Sequence, residues 1–166
     1  VGLEVMTTQG ELLAYFVKHN VPAGLSPEET IQQLRSQGAV IGVSHPYDSI
    51  RHGSWEEGNL RRILPLIDAV EVFNARTMTM HPNKRALALA QSQGKLGLAG
   101  SDAHHPSEVG AVMMKMDDFG TPAEFLDSLA QAQIIGRRSS PLVHFFSRYA
   151  TWRKKMGWRY QPPPTR

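Results

Sequence analysis

The side chains best suited to chemistry in this sequence are Glu4, His45, Glu71 with Asn74, and the pair Asp102 and His104. The 166 residues include no cysteine, which excludes a thiol nucleophile, a thiolate-bound zinc and a disulfide framework. Imidazoles and carboxylates without thiols suit Zn²⁺, Mn²⁺ or Fe²⁺, and one carboxylate can bridge two ions. Such a centre lowers the pKa of bound water and neutralises charge on a phosphoryl oxygen. Each residue also has an ordinary structural use. His45 before Pro46 can cap a loop, Asp102-Ala103-His104 can close a turn through a local hydrogen bond, and Glu4 can face solvent from a strand.

The elements that must position these residues alternate between strand and helix, which predicts an α/β fold with a mainly parallel sheet. Val1 to Thr8 and Glu11 to Val17 read as a hairpin around Gln9-Gly10. Ser26-Pro27-Glu28-Glu29 is a capping box that starts a helix ending at Gly38. Ala39 to Val43 is the short apolar run of a buried parallel strand, and it ends in Ser44-His45-Pro46. A helix over Glu56 to Ile67 leads to a strand from Asp68 to Phe73, closed by Asn74-Ala75-Arg76. A helix over Pro82 to Gln93 leads to the strand Leu96 to Ala99, which runs into Asp102 and His104. Thr121-Pro122-Ala123-Glu124 repeats the capping box ahead of a helix to about Ala132, before a brief extended piece at Ile134 and Ile135. Three successive strands thus finish in candidate ligands, and in parallel sheets and barrels such ends converge on one face. Glu71 and Asn74 are three residues apart, a spacing that does not share one face cleanly in a regular strand. Both are therefore expected to support the ligands from behind.

Gly2-Leu3-Glu4-Val5, Ser44-His45-Pro46, Val70-Glu71-Val72-Phe73-Asn74-Ala75-Arg76 and Gly100-Ser101-Asp102-Ala103-His104, in this order, resemble later motifs of the polymerase and histidinol phosphatase (PHP) superfamily. The resemblance runs from residue 1 to about residue 140. It implies the back portion of a distorted (β/α)7 TIM-like barrel, with two or three divalent ions (Zn, Mn or Fe) that hydrolyse phosphoesters. Glu4 would be a bridging carboxylate, with His45, Asp102 and His104 as direct ligands and Asp102 and His104 also serving catalysis. The family's early His-x-His strand and later Asp-His pair have no counterpart here. Some members also place a histidine in the strand after the glutamate, where this chain reads Glu11-Leu12-Leu13-Ala14-Tyr15. Leu12 cannot bind a metal, and Glu11 is not taken as a substitute.

Val1 is not an initiator methionine and the chain opens in a strand, so missing N-terminal strands are expected. Arg51, beside His52, and Arg76 are candidates for holding a substrate phosphate, because a guanidinium binds phosphate bidentately. Both can equally be ordinary loop residues. Met113, Met114 and Met116 read as core filling around a strand.

The net charge of +3 hides an asymmetry: residues 1–136 carry −5, whereas residues 137–166 carry +8 and no acid. The expected organisation is a partial barrel over 1–136, then a basic aromatic helix and proline-rich tail over 137–166. That segment suits docking by its aromatic face, or a grip on nucleic acid. No apolar run approaches the roughly 20 residues that span a bilayer, so a soluble cytoplasmic protein with no membrane partner is expected. The leading functional expectation is a parent phosphoesterase acting on nucleotides or small phosphate esters. The alternatives are a 5'-3' exonuclease on DNA or RNA ends, and a non-catalytic remnant whose open barrel self-associates.

Overall fold

The computed structural model describes residues 1–50, 53–140, 152, 156 and 157. From residue 141 on, the expected basic aromatic helix and proline-rich tail lie outside the described residues, save for those isolated positions, as do Arg51 and His52.

Five strands form one mixed sheet in the order β1-β2-β3-β4-β5: β1 (Gly2–Met6), β2 (Glu11–Tyr15), β3 (Val40–Val43), β4 (Ala69–Asn74) and β5 (Leu96–Gly100). The first two pair antiparallel, β2 meets β3 antiparallel, and β3, β4 and β5 run parallel. Helices α1 (Pro27–Ser36), α2 (Glu57–Ile63) and α3 (His81–Ser92) occupy the connections between β2 and β5. A separate antiparallel hairpin, β6 (Val112–Lys115) and β7 (Gln133–Gly136), brackets α4 (Pro122–Ala130).

The expectation is an incomplete barrel with its N-terminal strands missing. Among the described residues the sheet is open: β1 pairs only with β2, and β6 pairs only with β7. The α/β class and the parallel run of β3, β4 and β5 stand. No helix among the described residues is long and apolar enough to cross a membrane.

Both faces of the central strands β3 and β4 are covered, which is why they read as near-continuous apolar runs. Leu12, Ala14, Ile41, Val43, Val70 and Val72 pack on one side with Ile31 and Leu34 of α1, Leu60 and Ile63 of α2, and Ala86 and Leu89 of α3. On the other side Val40, Ala69 and Leu98 pack with Phe125 and Leu129 of α4. Tyr15, Phe16, Phe119 and Phe125 add ring contacts there, with Phe119 and Phe125 centroids 4.8 Å apart. Alternation along β6 sends Met114 inward against this second cluster and leaves Met113 57% exposed, so Met113 is not core filling.

Local sequence sets the helix starts. Both capping boxes form: Ser26 with Glu29 opens α1, and Thr121 with Glu124 opens α4. Arg35, in the last turn of α1, grips Asp68 bidentately at 2.7 and 2.8 Å. Asp68 Oδ2 also accepts the Ile41 N–H at 2.8 Å, which ties the end of α1 to the starts of β3 and β4. Leu34 is fully buried where α1 meets the sheet. Leu34→Ala should destabilise the chain by about 2–5 kcal/mol through lost transfer energy and the cavity left behind, read as a lowered urea midpoint with unchanged slope.

Candidate metal centre

The ends of β3, β4 and β5 lie side by side, as the parallel pairing requires. His45 follows β3, Glu71 and Asn74 belong to the end of β4, and Asp102 follows β5. His45 at φ 21° and Asp102 at φ 49° both depart from the backbone regions that ordinary residues favour. Strain of this kind persists only where the surroundings enforce it.

Glu71 does much of the enforcing. Its carboxylate Oε2 accepts the His45 backbone N–H at 2.7 Å, and both oxygens accept from Asn74 Nδ2 at 3.2 Å. The same Asn74 amide donates to Asp102 Oδ2 at 3.0 Å. Ser44 Oγ donates to Glu4 Oε1 at 3.0 Å and lies 3.5 Å from Glu71 Oε2. The middle of β1 and the ends of β3, β4 and β5 are thereby cross-linked by polar contacts. The three-residue spacing works because β4 is irregular: Glu71 faces Leu98 of β5, yet Phe73 faces the very next residue, Ala99. This bulge sets aside the two-residue alternation and turns Asn74 back toward Glu71.

Burial raises the Glu71 carboxyl above the usual carboxylate range, and the charge of Glu4 pushes it the same way. The His45 N–H, the His45 ring and Asn74 pull against this. Nearby, Tyr15 is pushed up to about 12 by burial first and then by Glu71 and Glu4, so its hydroxyl remains a donor. Tyr15 helps line a cavity of about 160 Å³, together with Glu4, Ser44, Glu71, Asn74 and Asp102.

One group of three ligating side chains, found among the described residues, has its donor atoms within 4.8 Å of one another: Glu4, Glu11 and His45. His45 Nε2 lies 3.0 Å from Glu11 Oε2, and the His45 residue is buried. Glu11, not assumed from sequence to substitute for the family histidine, therefore lies within the group. The hairpin register explains why. Glu11 pairs with Met6 and Leu13 with Glu4, so Glu4 and Glu11 project from the same face of the two-strand unit. The turn at Gln9-Gly10 was visible in the sequence, but the register, with a loop from Thr7 to Gly10, was set only in the fold. Trp55 fixes the position further, donating its indole N–H to Glu11 O at 3.1 Å, and a Cβ on Gly10 would collide with its ring.

Asp102 and His104 sit together at the end of β5, outside that group of three. His104 Nδ1 is 2.8 Å from the Asp102 carbonyl oxygen, the local turn contact that Asp-x-His allows. A carbonyl only accepts, so Nδ1 is the donor in this contact. Arg76, a substrate-phosphate candidate, is buried beside Glu108 and does not line the cavity. His105 accepts from the Ser107 N–H and caps the short turn Pro106–Glu108, in keeping with a surface role.

The donor set fits a divalent cation: two carboxylates and an imidazole bring their donor atoms within 4.8 Å of one another. Because folding raises the Glu71 pKa, its contribution to stability is fully present below the ordinary carboxylate value and lost as pH rises through the elevated one. In metal-free buffer, urea unfolding from about pH 5 to about pH 8 should therefore show declining stability. Glu71→Gln should flatten that decline, and an identical slope in the variant would rule it out.

Residues 80–134 match the family model described as PHP-associated. An uncharacterized protein of Methanocaldococcus jannaschii is 35% identical over 138 residues, which is 77% of this chain and 58% of that protein. The structure of PsfC from Pseudomonas syringae is similar with a TM-score of 0.65 at 19% identity, covering 93% of this chain and 65% of that one. A two-domain protein from Bacteroides vulgatus, containing a predicted PHP-like metal-dependent phosphoesterase, gives a TM-score of 0.62 at 16% identity over 82% of this chain and 44% of its own. The chain thus spans less than two thirds of each of these proteins.

Proposed function

We propose that this chain, whose motifs and fold are those of the later part of a PHP-superfamily protein, forms part of a divalent-metal centre for phosphoester hydrolysis. The observation that carries the reading is the convergence of Glu4, Glu11 and His45 within 4.8 Å on the face where β3, β4 and β5 end. These three would hold a first ion, and Asp102 and His104 would extend the centre at the end of β5, across β4. A bound divalent ion supplies a Lewis acid for a phosphoryl oxygen and acidifies water.

The chain's own residues supply the rest. Glu71 holds His45 in place by its backbone N–H, and Asn74 orients Asp102. His104 keeps its Nδ1 proton on the Asp102 carbonyl, which leaves Nε2 as the ring atom able to ligate or to take a proton. Tyr15 remains a neutral donor in the cavity beneath. The substrate on this reading is a nucleotide, another small phosphate ester or a nucleic-acid end, with the metal Zn²⁺, Mn²⁺ or Fe²⁺.

Two measurements test it. The purified chain, stripped with chelator and titrated with Mn²⁺ or Zn²⁺, should bind at least one ion, and Glu11→Gln should weaken binding about tenfold or more. The full-length protein should hydrolyse bis(p-nitrophenyl) phosphate only when loaded. Equal slow hydrolysis with and without metal would sink the enzyme reading, and absence of metal binding by the chain would favour a non-catalytic remnant.

A further inference from the structure

Arg76 and Glu108 form an ion pair inside the protein, with Nη1 3.3 Å from Oε2 and the two side chains 4% and 1% exposed. Taking both charges out of water is costly, and such a pair seldom adds net stability over well-packed apolar residues. Its geometry points to a local task. Glu108 Oε2 also accepts the backbone N–H of His104 at 3.0 Å. The Glu108 N–H donates to the His105 carbonyl at 2.9 Å, so the carboxylate reaches back over a closed turn to the residue before it. Arg76 is fixed in turn, its own N–H donating to Asn74 Oδ1 at 2.8 Å.

We infer that Glu108 is the positioning residue for His104, and that Arg76 serves as its counter-charge rather than as a substrate ligand. This rests on the proposed place of His104 in the metal centre. The segment at the end of β4 then carries both candidate ligands at the end of β5: Asn74 holds Asp102, and Arg76 acting through Glu108 holds His104. A carboxylate suits the task because one oxygen receives both a backbone N–H and a guanidinium N–H. Charge-assisted bonds of this kind are roughly twice as strong as neutral ones. Neither the sequence motifs nor the lining of the 160 Å³ cavity singles out Glu108. The acceptor of the His104 N–H identifies it.

The test uses the full chain with Glu108→Gln, Arg76→Gln and the double variant, reading amide hydrogen exchange by NMR and Zn²⁺ affinity by competition. Glu108→Gln and Arg76→Gln should each speed exchange of the His104 amide about tenfold and weaken Zn²⁺ binding in the same direction. The double variant should be no worse than the worse single, because both act through one linkage. Should Arg76→Gln fail to fold around an uncompensated Glu108, the double variant buries no charge and serves the same comparison. Amides of Val70 and Leu98 in the core should keep their rates. Loss of protection spread evenly to those positions would make the pair general support and overturn the inference. So would an Arg76→Gln variant with unchanged His104 exchange and only a raised KM for a phosphate ester in the full-length protein. A loosened His104 with unchanged Zn²⁺ affinity would uphold the positioning role and remove His104 from the metal centre.

Discussion

A carboxylate sealed inside an α/β sheet must find donors, and the Glu71 side chain sets the terms for everything around it. Its donors are the His45 N–H and the Asn74 amide, which belong to two different strand ends. Satisfying one buried charge therefore fixes the relative placement of β3 and β4, and through Asn74 it reaches Asp102 beyond β5. A buried carboxylate left unpaired costs far more than any of these contacts gains, so the arrangement is held by the penalty for losing it.

The same constraint accounts for local irregularities. A regular β4 would send Asn74 away from Glu71; the bulge brings it back. His45 and Asp102 leave ordinary backbone conformations where Glu71 and Asn74 hold them. Around this anchor the other acids gather close enough to repel: Glu4 shares Ser44 with Glu71, and Glu11 meets the buried His45 ring. Anionic crowding on a scaffold built to maintain it is the electrostatic basis of cation binding. The acidic balance of residues 1–136 agrees with that, whereas the excess of basic charge lies beyond the sheet.

Much of the fold was legible because the signals are local. Ser26 with Glu29 and Thr121 with Glu124 announce helix starts by side-chain chemistry three residues apart, and both boxes form. The apolar runs of β3 and β4 announced burial on both faces. Met113 was misread because membership of a strand does not say which face is covered; that depends on α4 packing against Met114's side. Strand order was not legible for a related reason, since pairing is set by long-range partners rather than by the strand's own residues.

The sequence by itself determined the α/β order, the strand ends that carry His45, Asp102 and His104, and a donor set free of thiols. These follow from periodicity, capping and residue type, which act over a few positions. Only the tertiary structure decided that Glu11 approaches His45, that a bulge aligns Asn74 with Glu71, and that Arg76 turns inward to Glu108. Each of these joins residues far apart in the chain through hydrogen-bond and ion-pair geometry. Such geometry exists only once strand register and burial have set which charged groups must satisfy one another.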